Sequence, residues 1–288
     1  GRELVLRGYD LKSLARLILN SHAYQRQTSP HAASPSISTK PLFAAQHRRR
    51  FTAEQIVDGL HHATGLPMKV GELNMDRDGG LGPNTFLNLG HPRKAWQFAA
   101  LSNERDRPSL AIPRVQAVID VLKNFGWRPS RQEPLTDREE VPHALQPGIL
   151  SNGVLTTWLT RLSADHGLTA ECLQERPAED LLEVVFLRLL TRRPTKEERD
   201  RFLALLGEGY ENRIIPVAER KKLPWPKKIP AVSWSNHLSP EANAIVIELE
   251  KRAREGDPPS NALNPAWRER MEDVLWAVIN SPETLFVP

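Results

Sequence analysis

The stretch from Phe125 to Gly153, FGWRPSRQEPLTDREEVPHALQPGILSNG, constrains what this chain can fold into more than any other. Its prolines fix φ and remove backbone donors, so it reads as neither an ordinary helix nor a strand. Yet Phe125, Trp127, Leu145, Ile149 and Leu150 supply apolar anchors, enough to pin it to a core. Long irregular segments held that firmly tend to carry function rather than act as linkers. A helix ending near Asn124 and another running from Val154 to Asp165 frame it.

Elsewhere the chain punctuates helices clearly. Asp10 caps an apolar-faced helix expected from Leu11 to about Gln25. Thr52-Ala-Glu-Gln55 and Thr195-Lys-Glu-Glu198 are capping boxes, the first flanked by the hydrophobic staple of Phe51 and Ile56. Ser239-Pro240 and Asn264-Pro265 each place a proline where a first-turn amide has no partner anyway. The run from Asp180 to Arg193 is apolar nearly all round, which predicts a deeply buried helix. Trp267, Met271, Val274, Leu275 and Val278 form the inner face of the last helix, and Trp276 is expected in the core as well. Leu66 to Ser109 is a long excursion, and Val217 to Leu238 is a proline-rich strap. The expected class is mainly α: an irregular multi-helix bundle with long ordered loops. Residues 1–30 read as the tail of a domain whose start is missing, 31–47 as a linker, and 48–288 as a helical domain with the strap at 216–238.

Composition excludes several classes. A net charge of +4, from 39 basic and 35 acidic residues interleaved along the helices, gives no footprint for nucleic acid. No window approaches eighteen uninterrupted apolar residues, so no membrane span is expected. Cys172 is alone, which rules out an internal disulfide or a thiolate metal site. There is no Cys-x-x-Cys-His, so no haem can attach covalently within the chain, and no cofactor is expected in it.

Four segments occur in an order that resembles a known family. They are GYDLKSLARLILNSHAYQRQTS, HRRRFTAEQIVDGLHHATG, LTRRPTKEE and VLWAVINSPETLFVP, with Phe125, Gln146 and Asn152 at matching positions between them. Together they resemble the planctomycete domain of unknown function 1553, and the likeness spans nearly the whole chain. Thr284 intervenes in the closing motif, and FGWRPSRQEP replaces the family's commoner "F-D-x-P-D" run, a replacement that suggests a subgroup. The resemblance implies the C-terminal domain of a multidomain protein, periplasmic or otherwise exported, that often also carries a c-type cytochrome domain. Haem would then sit only on a separate domain, and upstream domains of the same polypeptide would be partners. The resemblance carries no established activity and hence no catalytic residue.

The residues themselves offer a few binding candidates. Arg131 can fork onto a carboxylate or sulfate, Gln146 and Asn152 can fix hydroxyls, as sugar sites require, and Glu133 is a further binding candidate beside them. The alternative is that these side chains satisfy the backbone of an irregular segment. Trp225 and Trp234 in the strap can form a platform for polysaccharide or simply pack the strap onto the bundle. Asn74, Asp76 and Asp78 faintly resemble a calcium loop, but the twelfth position is Thr85 rather than a glutamate. Asp58, His61 and His62 lack a third metal ligand in any recognised pattern, so core or solvent-facing histidines are expected. The leading expectation is a helical scaffold or binding module contacting polysaccharide or an adjoining domain. The alternatives are part of a hydrolase of complex, sulfated glycans, or structural support for a cytochrome-linked electron-transfer protein.

Overall fold

The computed structural model describes residues 1–26, 49–70, 92–95, 97, 112–127, 141–223, 229–230, 232 and 236–286. Eleven α-helices occur among these residues, and the only β-pairing among them is three isolated bridges. The protein is mainly helical, as expected. None of its described helices is long and apolar enough to cross a membrane.

The chain divides into two compact units, residues 1–50 with 286–288 and residues 51–285. The first unit holds α1 (Arg2–Leu6) and α2 (Leu11–Leu19), neither of which buries a residue. The Asp10 carboxylate caps α2 by accepting from the amides of Lys12 and Ser13. Helix α2 stops at Leu19, short of the expected Gln25. The Ser21 hydroxyl donates back to the Ile18 carbonyl and accepts from the Tyr24 amide, offering the backbone a turn instead of a further helical turn.

The second unit contains α3 (Ala53–Thr64), α4 (Pro113–Asn124), α5 (Leu145–Asn152), α6 (Val154–Thr160), α7 (Gly167–Cys172), α8 (Ala178–Leu190), α9 (Lys196–Leu206), α10 (Pro240–Glu255) and α11 (Pro265–Ile279). Both capping boxes form. The Thr52 hydroxyl accepts from the Gln55 amide at 3.3 Å, and the Gln55 side chain accepts from the Thr52 amide at 3.0 Å. Ile56 is buried in one core cluster and Phe51 packs against the same cluster, as a staple requires. That cluster gathers side chains of α3, α4, α5 and α6. A second gathers those of α7, α8, α9 and α11, including Leu181, Leu182, Val185 and Phe186. Each side chain of this size buried from water contributes about 2 kcal/mol.

Four further expectations need correction. The segment before Gly153 is a helix, α5. Pro147 lies in its first turn, where the missing amide has no intrahelical partner to lose. Leu145 at the start of α5 is exposed, whereas Phe125, Trp127 and Leu150 are buried as anchors. Trp276 is 45% exposed, because one residue beyond Leu275 the helix has turned about 100° away from the inner face. The stretch expected to be one helix to Asp165 ends at Thr160, and a separate short helix, α7, follows.

Beyond α8 the chain is tied by one arginine. Arg192 forks onto Glu198 at 2.7 and 2.8 Å and onto Glu283 at 2.7 and 2.9 Å. Glu198 also accepts from the Thr195 amide at 2.7 Å, so the knot and the capping box share a carboxylate. The hydrogen bonds from Arg192 outweigh partial burial and push the Glu198 carboxyl down to about 2. A depressed carboxyl stabilises the fold above its unfolded value near 4.5 and loses that contribution as pH falls toward about 2. Both side chains are about a third exposed, so screening limits the pair to about 1 kcal/mol. Glu198→Gln is therefore expected to flatten the fall of the melting temperature between about pH 4.5 and 2, and parallel wild-type and variant curves would refute this. Thr191, which ends α8 at φ 58, is a β-branched residue in the left-handed region. Thr191→Gly is expected to raise stability by up to about 1 kcal/mol in urea unfolding, and a loss would count against strain there.

Candidate functional site

Helix α3 ends because Gly65 adopts φ +67, a left-handed conformation that terminates the helix. The chain leaves it toward Val70. A Cβ on Gly65 would lie 2.9 Å from the Gly167 Cα, and one on Gly167 would lie 2.8 Å from the Gly65 Cα. Only two glycines allow the end of α3 and the start of α7 to touch through their backbones. The Thr64 hydroxyl donates to the Leu60 carbonyl at 2.8 Å and accepts weakly from the Leu66 amide at 3.4 Å.

His61 sits in the last turn of α3 and is buried. Its Nδ1 lies 3.0 Å from the Leu66 carbonyl oxygen. A carbonyl only accepts, so Nδ1 carries the proton and Nε2 presents a lone pair. Nε2 is buried and has no hydrogen-bond partner among the described residues. Burial lowers the His61 pKa, outweighing the Leu66 carbonyl and the Asp58 charge, and keeps the ring neutral at neutral pH.

His61 borders two spaces. The smaller, about 10 Å³, is also lined by Trp158, by Ser163, whose hydroxyl likewise lacks a partner among the described residues, and by a charged network. In that network Lys69 pairs with Asp165 and, at 3.5 Å, with Asp257. Arg114 donates to Asp257 at 2.7 Å and to the Lys69 carbonyl at 3.0 Å, and its guanidinium lies 5.2 Å from the centre of the Trp158 ring. Burial alone would raise the Asp257 carboxyl, but Arg114 and then Lys69 outweigh it and hold it low. Burial is the largest single effect on the Lys69 ammonium and lowers its pKa, but Asp165 and Asp257 together outweigh it and hold the group above its ordinary value.

The larger space is a cleft of about 600 Å³ bordered by the end of α3, the 66–69 segment and Pro92 to Lys94. The Asp58 carboxylate accepts from the Ala95 amide at 2.9 Å and so ties the 92–95 segment to α3. The Gln97 side chain accepts from the amides of Arg93 at 2.6 Å and Lys94 at 3.0 Å. The side chains of Arg93 and Lys94 are exposed and make no ion pair with a carboxylate among the described residues.

Of the residues singled out from sequence, Gln146 is buried and donates to the Asn124 carbonyl at 2.9 Å, as does His143. Both serve the C-terminal end of α4. Asn152 is exposed and donates to the Ser151 hydroxyl at 3.0 Å. Neither amide borders the two spaces around His61. Arg131, Glu133, Trp225, Trp234 and the loop of Asn74, Asp76 and Asp78 lie outside the described residues. Asp58 and His61 come to the cleft, but no group of three metal-ligating side chains forms among the described residues. Lys69, Arg114, Asp165 and Asp257 escaped the sequence reading. No local pattern marks them, because tertiary packing brings them together from distant positions.

Compared with known proteins, residues 1–206 match the PSD1 family, described as a protein of unknown function (DUF1553), and the chain belongs to that family. No curated protein and no solved structure matches it.

Family membership assigns no residue a role, so the His61 assignment rests on its own geometry. Long-range ¹H–¹⁵N spectra are expected to show the Nδ1–H tautomer and titration below 6.5. Titration at or above 6.5 would overturn it.

Proposed function

We propose that this member of the PSD1 family is a binding module that takes a short segment of polysaccharide in the cleft beside α3. The observation that carries the reading is the cleft itself: at about 600 Å³ it falls within the usual range for small-ligand sites. Its walls at Leu66, Pro67, Met68 and Pro92 are aliphatic, with polar groups at the edge. Such a composition covers the C–H faces of a ligand while orienting its hydroxyls. Binding is favoured over catalysis because, among the described residues, the nearby carboxylates are committed to the frame, Asp58 to the Ala95 amide and Asp257 to Arg114 and Lys69. The exported, multidomain setting implied by the sequence resemblance would bring polysaccharide within reach.

The test is calorimetric titration of the intact protein with neutral and acidic oligosaccharides, followed in parallel by amide chemical shifts. Saturable binding that moves the resonances of His62, Met68 and Lys94 is expected. Absence of saturable binding across the whole panel would overturn the reading.

A further inference from the structure

We infer that the cleft selects an acidic sugar unit, one bearing a carboxylate or sulfate ester beside a free hydroxyl, an inference that rests on the binding reading above. Among the described residues, three cations, Lys69, Arg93 and Lys94, border the cleft against one carboxylate, Asp58. Lys69 is already answered by Asp165 and Asp257. Arg93 and Lys94 have no such partner among the described residues, so their charge is available to a ligand. A guanidinium meets a carboxylate or sulfate through two parallel N–H donors. The cations repel an amine-bearing ligand.

The second observation is His61. It borders the same cleft, it is more than nine-tenths buried, and its Nε2 has no partner among the described residues. With the proton on Nδ1, facing the Leu66 carbonyl, Nε2 can only accept. A group that supplies it with an O–H donor satisfies a buried acceptor that is otherwise unpaired. Among the described residues at the cleft, no side chain other than the histidines offers an aromatic ring for a nucleobase to stack on. Anion and hydroxyl on one small scaffold describe a uronate or a sulfated sugar.

The experiment uses one oligosaccharide backbone in three forms: neutral, oxidised at C6 to the uronate, and esterified at C6 with sulfate. Each is titrated into the intact protein at low and high salt. An advantage of roughly tenfold for an acidic form at low salt is expected, shrinking at high salt as surface charges are screened. The variant Arg93→Gln with Lys94→Gln should lose about two- to fivefold per cation for the acidic form and a smaller amount for the neutral form, so that the advantage of the acidic form narrows. The better-bound acidic form identifies the anion, and saturation should shift the His61 Nε2 resonance. Equal binding of all three forms would overturn the inference and leave the binding reading standing. Binding of none would remove both. Acidic binding with an unmoved Nε2 would overturn the hydroxyl contact.

Discussion

Helix α11 serves two cores at once. Ile279 belongs to the cluster around α3 to α6, whereas Trp267, Met271, Val274, Leu275 and Val278 belong to the cluster around α7 to α9. The helix must therefore hold one rotation about its axis along its whole length, because a turn of one residue would empty both clusters together. Several polar contacts fix that rotation. The Trp267 indole donates to the Leu206 carbonyl at 3.0 Å, Glu272 accepts from the Leu162 amide at 2.9 Å, and Trp276 donates to the Ser151 carbonyl at 2.9 Å. The Arg192 knot then fixes the turn that follows, through Glu283. The outward Trp276 is thus a consequence of the same register that buries Trp267.

Several arginines in this protein work as internal ties. Arg213 is buried and donates to the carbonyls of Cys172, Tyr210 and Gln174 at 2.9, 3.1 and 2.6 Å, with its guanidinium 4.0 Å from the centre of the Tyr210 ring. It satisfies the carbonyls around the end of α7 that no intrahelical amide reaches. Arg188 does the same for Ala63 at the end of α3 while pairing with Glu171. A guanidinium suits this work, since it offers several donors in a fixed plane and stays charged when buried. Part of the chain's slight basic surplus is therefore structural. Against that background, the exposed Arg93 and Lys94, without a carboxylate partner among the described residues, stand out at the cleft.

Helix starts were legible in the sequence because capping is local. Asp10, Thr52, Thr195 and Asn264 each accept from an amide two or three residues ahead. Helix α4 followed from Pro113 and its apolar spacing, and it runs to Asn124 as expected. Position within a turn was less legible: Pro147 reads as a breaker until its place in the first turn of α5 is known. The cleft was hardest to read. Lys69 meets Asp257 across 188 residues, and no local pattern announces a pairing made by tertiary packing. His61 was visible only as a weak metal candidate, because its meaning depends on the Leu66 carbonyl beyond the helix end.

The contact between Gly65 and Gly167 gives the cleft an unusual independence from its own lining. Its frame is set where two main chains touch, and the exposed side chains of Arg93 and Lys94 project from its rim. Rim residues can therefore be exchanged to admit a different guest while His61 stays in place. A single methyl group added at either glycine would instead wedge the two helix ends apart and carry His61 with them.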